Sequence, residues 1–400
     1  MLRVPLKIFC TLLLAFSVVV AAQDVDRTRA FQLYKDAKYT EALPLFEKLA
    51  IANPNDRDVL EALGLMTATQ TAYLKDPEAR KQARMRGREL LLRAQKLGAN
   101  SALLKWMLES VVPENGADNS SFSTKKEVDD LMREGEEAFA SGNLTKALEM
   151  YKQALLLDPK LYEAALFIGD VYFKSADHAN AGEWYGRAIA MNPDRETAYR
   201  YWGDSLMKQG RFTDAGEKFV EAYLAEPYSR LTRAGFLNWG DKAQINLAHP
   251  QVDVPTNVTS GKDKGTTISL DANVLTKDDK SGAAAAWLAY GIIRASWQTE
   301  FAKQYPNEKT YRHSLKEEAA ALRGAIESVK NQKLDPKNLD PSLRTLQKLE
   351  QEGLLEPFVL LALPDAGIAQ DFPEYRKANL EKLRRYVKDY VLTGGGAVKQ

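Results

Sequence analysis

Three prolines spaced 34 residues apart constrain the fold of this chain more than any other feature. They are Pro159, Pro193 and Pro227, and other residue types recur at fixed offsets before each of them. The matching series are Gly135, Gly169 and Gly203; Ala147, Ala181 and Ala215; Tyr151, Tyr185 and Phe219; and Ala154, Ala188 and Ala222. Self-similarity at a period of roughly 20–50 residues indicates a stacked repeat architecture.

The spacing and the residue types predict a helical hairpin in each unit. The glycine on the first helix and the middle alanine on the second helix permit close approach of the two helices. The aromatic residue is expected to fill the space between hairpins. The proline suits the turn that begins the next unit, because it lacks an N–H group and has a fixed φ. A single hairpin cannot bury its apolar face alone, so we expect the units to stack.

This pattern resembles the tetratricopeptide-repeat (TPR) family, which has the same 34-residue unit. The resemblance implies a mostly α fold, a right-handed α-solenoid of helical hairpins. The expected repeats cover about 128–161, 162–195 and 196–229, and with a capping helix they make up a segment 126–240. An N-terminal segment 23–112 is expected to hold one clear repeat and one degenerate repeat, followed by a linker at 113–125. The clear repeat has Ala30, Ala42, Phe46 and Pro54 at the same offsets, and the degenerate one begins near Leu63 and Gly64.

The first 22 residues predict a secretory signal peptide. Arg3 and Lys7 form a basic region, Ile8 to Val20 is apolar, and the small residues Ala21 and Ala22 follow. The apolar run is shorter than the roughly 20 residues that a membrane-spanning helix needs. We therefore expect an exported protein, periplasmic or secreted, with an uncleaved membrane anchor as the alternative. Cys10 is the only cysteine, so the mature chain has no disulfide or thiolate metal site.

The charge balance argues against a nucleic-acid partner. The formal net charge is +1, from 55 basic and 54 acidic residues, whereas nucleic-acid binders normally carry a basic excess or patch. The resemblance instead implies a protein or peptide partner, held in a concave groove of first-helix residues. Carrying the family's groove positions onto this sequence gives Glu136, Phe139, Asp170, Phe173, Lys174, Arg200, Asp204 and Met207.

Two explanations remain open for the acidic residues of this set. Glu136, Asp170 and Asp204 occupy the same repeat position, and a row of carboxylates beside apolar side chains suits a basic and apolar peptide. Alternatively, the acidic residue at this position forms hydrogen bonds between adjacent repeats. The carboxylate clamp of chaperone-binding TPRs is not expected, since Met132 and Thr197 occupy two positions where that clamp has lysine.

The C-terminal part is expected to contain a β-hairpin or linker at 241–280, a helical subdomain at 281–392 and a flexible tail at 393–400. The hairpin strands are predicted at 249–255 and 266–275, with a turn at 260–265. Trp287, Tyr290, Trp297 and Phe301 recur at helical spacing around Arg294, which favours a core stripe over a ligand pocket. His313 and Glu317 are four residues apart, but the chain has only three histidines, so neither a metal site nor a cofactor is expected.

These observations favour an exported scaffold that binds a protein partner, in envelope assembly or secretion, and that is not an enzyme. No nucleophile elbow, metal-binding helix motif or phosphate loop occurs in the sequence. The alternatives are an enzyme or ligand-binding protein with its site in the C-terminal subdomain, and a structural envelope protein that self-associates.

Overall fold

The computed structural model describes residues 24–36, 38–72, 74–112, 121–261, 265–274, 281–332 and 337–395. The predicted signal peptide at 1–22 lies outside these residues, as do 113–120 of the predicted linker and 396–400 of the predicted tail. Among the described residues, no helix combines the length and the apolar character that a membrane crossing requires. The mostly α fold class is confirmed, and the part of the chain that the structure describes contains one small β-hairpin.

The chain divides into two compact units, and the division falls after Asn192. The segmentation expected from the sequence placed the third repeat with the first two, but the structure groups it with the C-terminal helices. Long-range contacts give the physical reason. Arg384 on the last helix binds Glu221 of the third repeat through hydrogen bonds of 2.6 and 2.8 Å. Arg376 also donates to the carbonyl of Leu224 at 2.6 Å.

The N-terminal unit begins with two helix pairs and a short helix. They are α1 (24–35), α2 (Tyr39–Ala52), α3 (Arg57–Thr69), α4 (Pro77–Lys96) and α5 (Ala102–Trp106), followed by a π-helical turn, Met107–Val111. Asp56 and Asp76 cap α3 and α4 by accepting backbone N–H groups. Gly64 permits close packing of α3 on α4, since a Cβ there would lie 2.8 Å from Leu91 Cγ. Ala42 and Phe46 of the predicted clear repeat are fully buried.

The first two expected repeats form the rest of the N-terminal unit. Their helices are α6 (Lys126–Ala140), α7 (Leu144–Leu157), α8 (Tyr162–Lys174) and α9 (His178–Met191). Asn143 caps α7 and Asp177 caps α9, which fixes where the second helix of each hairpin begins. Arg133 on α6 is fully buried. It donates to the carbonyls of Thr71 and Ala72, in the 3₁₀ turn that follows α3, and pairs with Asp129 at 2.8 Å, so it ties the repeats to the preceding helices.

Glycine and aromatic residue meet inside each hairpin. A Cβ on Gly135 would lie 2.3 Å from Tyr151 Cε1, and one on Gly169 would lie 2.5 Å from Tyr185 Cε1. The expectation that the aromatic fills the space between hairpins is therefore incomplete. It packs first on the glycine of its own hairpin, and Tyr151 also contacts Phe167 of the next one, with ring centroids 5.5 Å apart.

The C-terminal unit begins with the third hairpin and its capping helix. These are α10 (Glu196–Lys208), α11 (Phe212–Ala225) and α12 (Arg230–Lys242). The same glycine–aromatic contact recurs, because a Cβ on Gly203 would lie 2.8 Å from Phe219. Trp239 of α12 packs on Phe219 with ring centroids 6.3 Å apart and covers the end of the hairpin.

The β-hairpin consists of β1 (Thr256–Gly261) and β2 (Gly265–Leu270), paired antiparallel. The predicted position of the first strand, 249–255, is wrong, because β1 begins at Thr256, directly after that segment. Pro250 and Pro255 cannot donate ladder hydrogen bonds, which disfavours a paired strand there. The hairpin packs on the first helix of the C-terminal bundle, where a Cβ on Gly291 would lie 2.5 Å from Ile268 Cγ2.

A helical bundle completes the unit. Its helices are α13 (Ala283–Gln304), α14 (Leu315–Asn331), α15 (Pro341–Gln351), α16 (Leu355–Ala362) and α17 (Phe372–Asp389). Ser314 caps α14 as its sequence predicts, and Gly353 at φ +68° follows the end of α15. At the predicted tail, Val391–Thr393 forms a 3₁₀ turn, and the Gly395 N–H donates to the Tyr390 carbonyl.

Candidate partner-binding site

The acidic residues of the first two repeats accept hydrogen bonds from tyrosines of the same hairpin. The Tyr151 hydroxyl donates to Glu136 Oε1 at 2.5 Å, and the Tyr185 hydroxyl donates to Asp170 Oδ1 at 2.8 Å. Burial raises the pKa of Glu136 above its ordinary value, and the Tyr151 hydrogen bond partly offsets this rise. These carboxylates therefore contribute to the packing of each hairpin. Each of these two bonds lies within one repeat. The structural explanation from sequence had instead expected bonds between adjacent repeats.

Phe139, Phe173 and Lys174 lie on the same first helices. Phe139 and Phe173 are half-buried and Lys174 is exposed. The Lys174 ammonium lies 4.4 Å from the centre of the Phe139 ring, a cation–π distance, and donates to the Phe139 carbonyl at 3.4 Å. Together with Glu136 and Asp170 these side chains form a surface that we call the α6–α8 face. It offers two aromatic rings, one amine and two hydrogen-bonded carboxylates.

The equivalent residues of the third repeat lie in the C-terminal unit. Arg200 pairs with buried Glu196 at 2.8 Å. Asp204 is half-buried, and Phe219 stands where the first two repeats have the tyrosine, so it receives no hydroxyl from that position. Burial raises the pKa of Asp204, and the nearby Arg200 opposes the rise. Met207 is partly buried against the core of its own unit. The structure thus places Arg200 and Met207 largely in internal contacts.

A charged cluster joins α13 to α14. Arg294 binds Glu317 at 2.7 Å and Glu318 at 2.9 Å, and the Tyr290 hydroxyl also donates to Glu318. His313 contacts Glu318 at 3.0 Å. The metal pair considered from the sequence was His313 with Glu317, which is not this contact. Within the described ranges, no group of three or more histidine, cysteine, aspartate or glutamate side chains is arranged so that it could hold a metal ion.

The carboxylates around His313 raise its pKa. Burial alone lowers the pKa of His313, but Glu318 and Asp365 outweigh it and raise the pKa above its ordinary value. Three of the four aromatic residues around Arg294 are core, as favoured from sequence, because Trp287, Tyr290 and Phe301 are buried, whereas Trp297 is half-buried. The charged cluster of Arg294, Glu317 and Glu318 consequently connects α13 to α14 through buried ion pairs.

The C-terminal unit contains a cavity that no sequence pattern predicts. It has a volume of about 370 Å³, and its lining includes Tyr223, Arg233 and His249. These residues belong to α11, α12 and the irregular segment after α12, and no spacing in the sequence relates them. Only a tertiary structure brings them together.

Comparisons with known proteins agree with the repeat architecture. The family model for the tetratricopeptide repeat matches residues 132–196 and 185–230. No curated protein sequence matches the chain significantly.

The chain is also similar to several solved structures, all at low sequence identity. The Sgt2 TPR domain from Aspergillus fumigatus is 24% identical, with 36% of this chain and 96% of that chain covered and a TM-score of 0.29. A MamA structure is 17% identical, with coverage of 57% and 98% and a TM-score of 0.23. YrrB, described as a TPR protein with an unusual peptide-binding site, is 14% identical, with coverage of 51% and 87% and a TM-score of 0.25.

The family match covers the segment in which the 34-residue period and the glycine–aromatic contacts occur. Residues 132–230 of this chain are therefore tetratricopeptide repeats.

Proposed function

We propose that this protein is a non-enzymatic scaffold that binds a protein or peptide partner on the α6–α8 face. The observation that carries the proposal is the pair of half-buried rings, Phe139 and Phe173, at equivalent positions of adjacent repeats beside an exposed amine. Aromatic rings that are already partly ordered lose little conformational entropy on binding, and such residues dominate the energy of protein interfaces.

The charges of this face suggest the chemistry of the partner. The Tyr151 hydroxyl holds Glu136 in place by donating to Oε1. The second carboxylate oxygen of Glu136 accepts no hydrogen bond from the described part of the chain. A basic side chain of a bound peptide suits that oxygen, while apolar side chains suit Phe139 and Phe173. A partner with both apolar and basic residues is therefore the proposal. Side-chain pockets of this kind give specificity to an extended peptide.

Peptide display against the full chain, followed by calorimetry with the selected peptides, tests this function. Phe139→Ala and Phe173→Ala should each weaken binding by about 30-fold, which corresponds to about 2 kcal/mol for an interface hot spot. The matched control is Leu156→Ala on the second helix of the first repeat, since Leu156 is 80% exposed. Equal affinity of all four proteins for the selected peptides would refute the assignment.

We also propose that the protein is exported and acts in the periplasm or outside the cell, in envelope assembly or secretion. The basic start and the apolar run from Ile8 to Val20 support this location. N-terminal sequencing of the protein from its native cells tests it directly. A mature chain that begins near residue 23 is expected, and a soluble cytoplasmic protein that retains Met1 would contradict export.

A further inference from the structure

The cavity in the C-terminal unit has the size and lining of a small-molecule site. Its volume of about 370 Å³ lies within the range of roughly 300–1,000 Å³ that ligand pockets occupy. Nine of the thirteen lining residues that the structure describes are apolar, among them Phe236, Leu247 and Leu361. Tyr223 and Phe236 stack with ring centroids 5.0 Å apart and an interplanar angle of 10°, which makes one wall flat and rigid.

A neutral histidine contributes a hydrogen-bond donor to this cavity. His249 Nδ1 lies 2.9 Å from the hydroxyl of Tyr386, which is fully buried. That hydroxyl has no other acceptor among the described residues, so it donates to Nδ1 and leaves the imidazole proton on Nε2. Burial, followed by the charge of Arg233, lowers the pKa of His249 to about 4, so the ring is neutral at pH 7.

The His249 Nε2–H group and the Tyr223 hydroxyl form only a weak, stretched contact with each other. The two atoms lie 3.4 Å apart, beyond the usual range of about 2.7–3.2 Å for a hydrogen bond. Both residues line the cavity. An acceptor atom placed in the cavity therefore competes well for both donors, since it replaces only one stretched bond.

The charge of the lining is positive. Arg233 is exposed, and its guanidinium makes no hydrogen bond or ion pair within the residues that the structure describes. It lies close enough to act electrostatically on both Tyr223 and His249. No carboxylate belongs to the described lining. The cavity thus offers one unneutralised guanidinium and two neutral donors against an apolar wall.

We propose that this cavity binds a small aliphatic monocarboxylate, with the carboxylate at Arg233, Tyr223 and His249 and the hydrocarbon against Phe236, Leu247 and Leu361. A guanidinium gives a carboxylate charge-assisted hydrogen bonds. The apolar lining requires a ligand with an apolar body, which separates this class from inorganic anions. The site is independent of the α6–α8 face and goes beyond the scaffold function.

Calorimetry on the full chain with sodium decanoate and decan-1-ol tests the proposal. Decanoate should bind more tightly than the alcohol. Arg233→Gln should weaken decanoate binding roughly 10- to 100-fold, as expected for loss of a charged hydrogen bond, and leave the alcohol within about twofold. Arg230→Gln, at another exposed arginine of α12 outside the lining, is the matched control and should change neither.

Nuclear magnetic resonance supplies a second readout that does not depend on a variant. The chain has three histidines, so the imidazole signals are few. Decanoate should shift those of His249 and leave those of His178 and His313 in place. Absence of binding, equal binding of acid and alcohol, or shifts confined to His178 or His313 would overturn the proposal. Tighter binding of a short peptide with an apolar C-terminal residue and a free carboxyl group would overturn the assignment to a free acid.

Discussion

Replacing Gly169 by alanine should destabilise the second repeat, although alanine is the better helix former. The new Cβ would lie 2.5 Å from Tyr185 Cε1 and 2.6 Å from Cδ1, whereas carbon atoms prefer about 3.5–4.0 Å. The ring must therefore move by about 1 Å. It is 1% exposed, and its hydroxyl is held by Asp170 at 2.8 Å, so it has no free space to enter.

The magnitude follows from three terms. Overpacking of a core costs about 1–3 kcal/mol, and strain on the Tyr185 hydrogen bond adds about 1 kcal/mol. The helix propensity of alanine returns about 1 kcal/mol. The net expectation is a loss of about 1–3 kcal/mol for Gly169→Ala.

A double-mutant cycle separates the steric effect from other causes. In a Tyr185→Leu background the obstructing ring is gone, so Gly169→Ala should become neutral or stabilising by up to about 1 kcal/mol. Urea unfolding followed by circular dichroism measures the stability, and native-state hydrogen exchange of α8 and α9 localises the change to this hairpin. A destabilisation of equal size in both backgrounds would refute the steric reasoning.

Three further predictions concern buried polar contacts. Tyr151→Phe leaves Glu136 without its donor and should cost about 1–3 kcal/mol of stability at pH 7. The variant further raises the pKa of Glu136, which burial already raises, so the folded state binds more protons than the unfolded state. The loss of stability measured by urea unfolding should therefore be smaller near pH 4. Arg133→Met leaves Asp129 only the N–H of Phe122 as a hydrogen-bond donor among the described residues and removes the donor to the Thr71 and Ala72 carbonyls, so it should cost about 3–5 kcal/mol in the same assay. Adding Asp129→Leu should recover only part of this loss, because those carbonyls remain without the guanidinium. Ser314→Ala removes the cap of α14 and should lower stability by about 1 kcal/mol, with faster amide exchange confined to the first turn of that helix.

The 34-residue period was sufficient to predict the hairpins of the repeat segment. Each period places a glycine sixteen residues before an aromatic, as in Gly135 and Tyr151, and that offset brings the two side by side once both helices form. The tyrosine–carboxylate bond was also present in the sequence as a fifteen-residue offset between Glu136 and Tyr151. A repeat pattern does not by itself show the partner of a carboxylate, since it is equally compatible with a bond between adjacent repeats.

Contacts between residues far apart in the chain could not be predicted in this way. Arg384 binds Glu221 across a separation of 163 residues, and no periodicity encodes that pairing. The grouping of the third repeat with the C-terminal bundle depends on such contacts. The cavity has the same origin, since its lining extends from Tyr223 to Val391.

Hydrogen–deuterium exchange of the full chain, with and without a display-selected peptide, tests the scaffold function most directly. Binding on the α6–α8 face should slow amide exchange in α6 and α8, which carry Phe139 and Phe173. It should leave α7, the helix of the exposed Leu156, unchanged. Protection confined to α7 and α9, or to the C-terminal unit, would contradict the account.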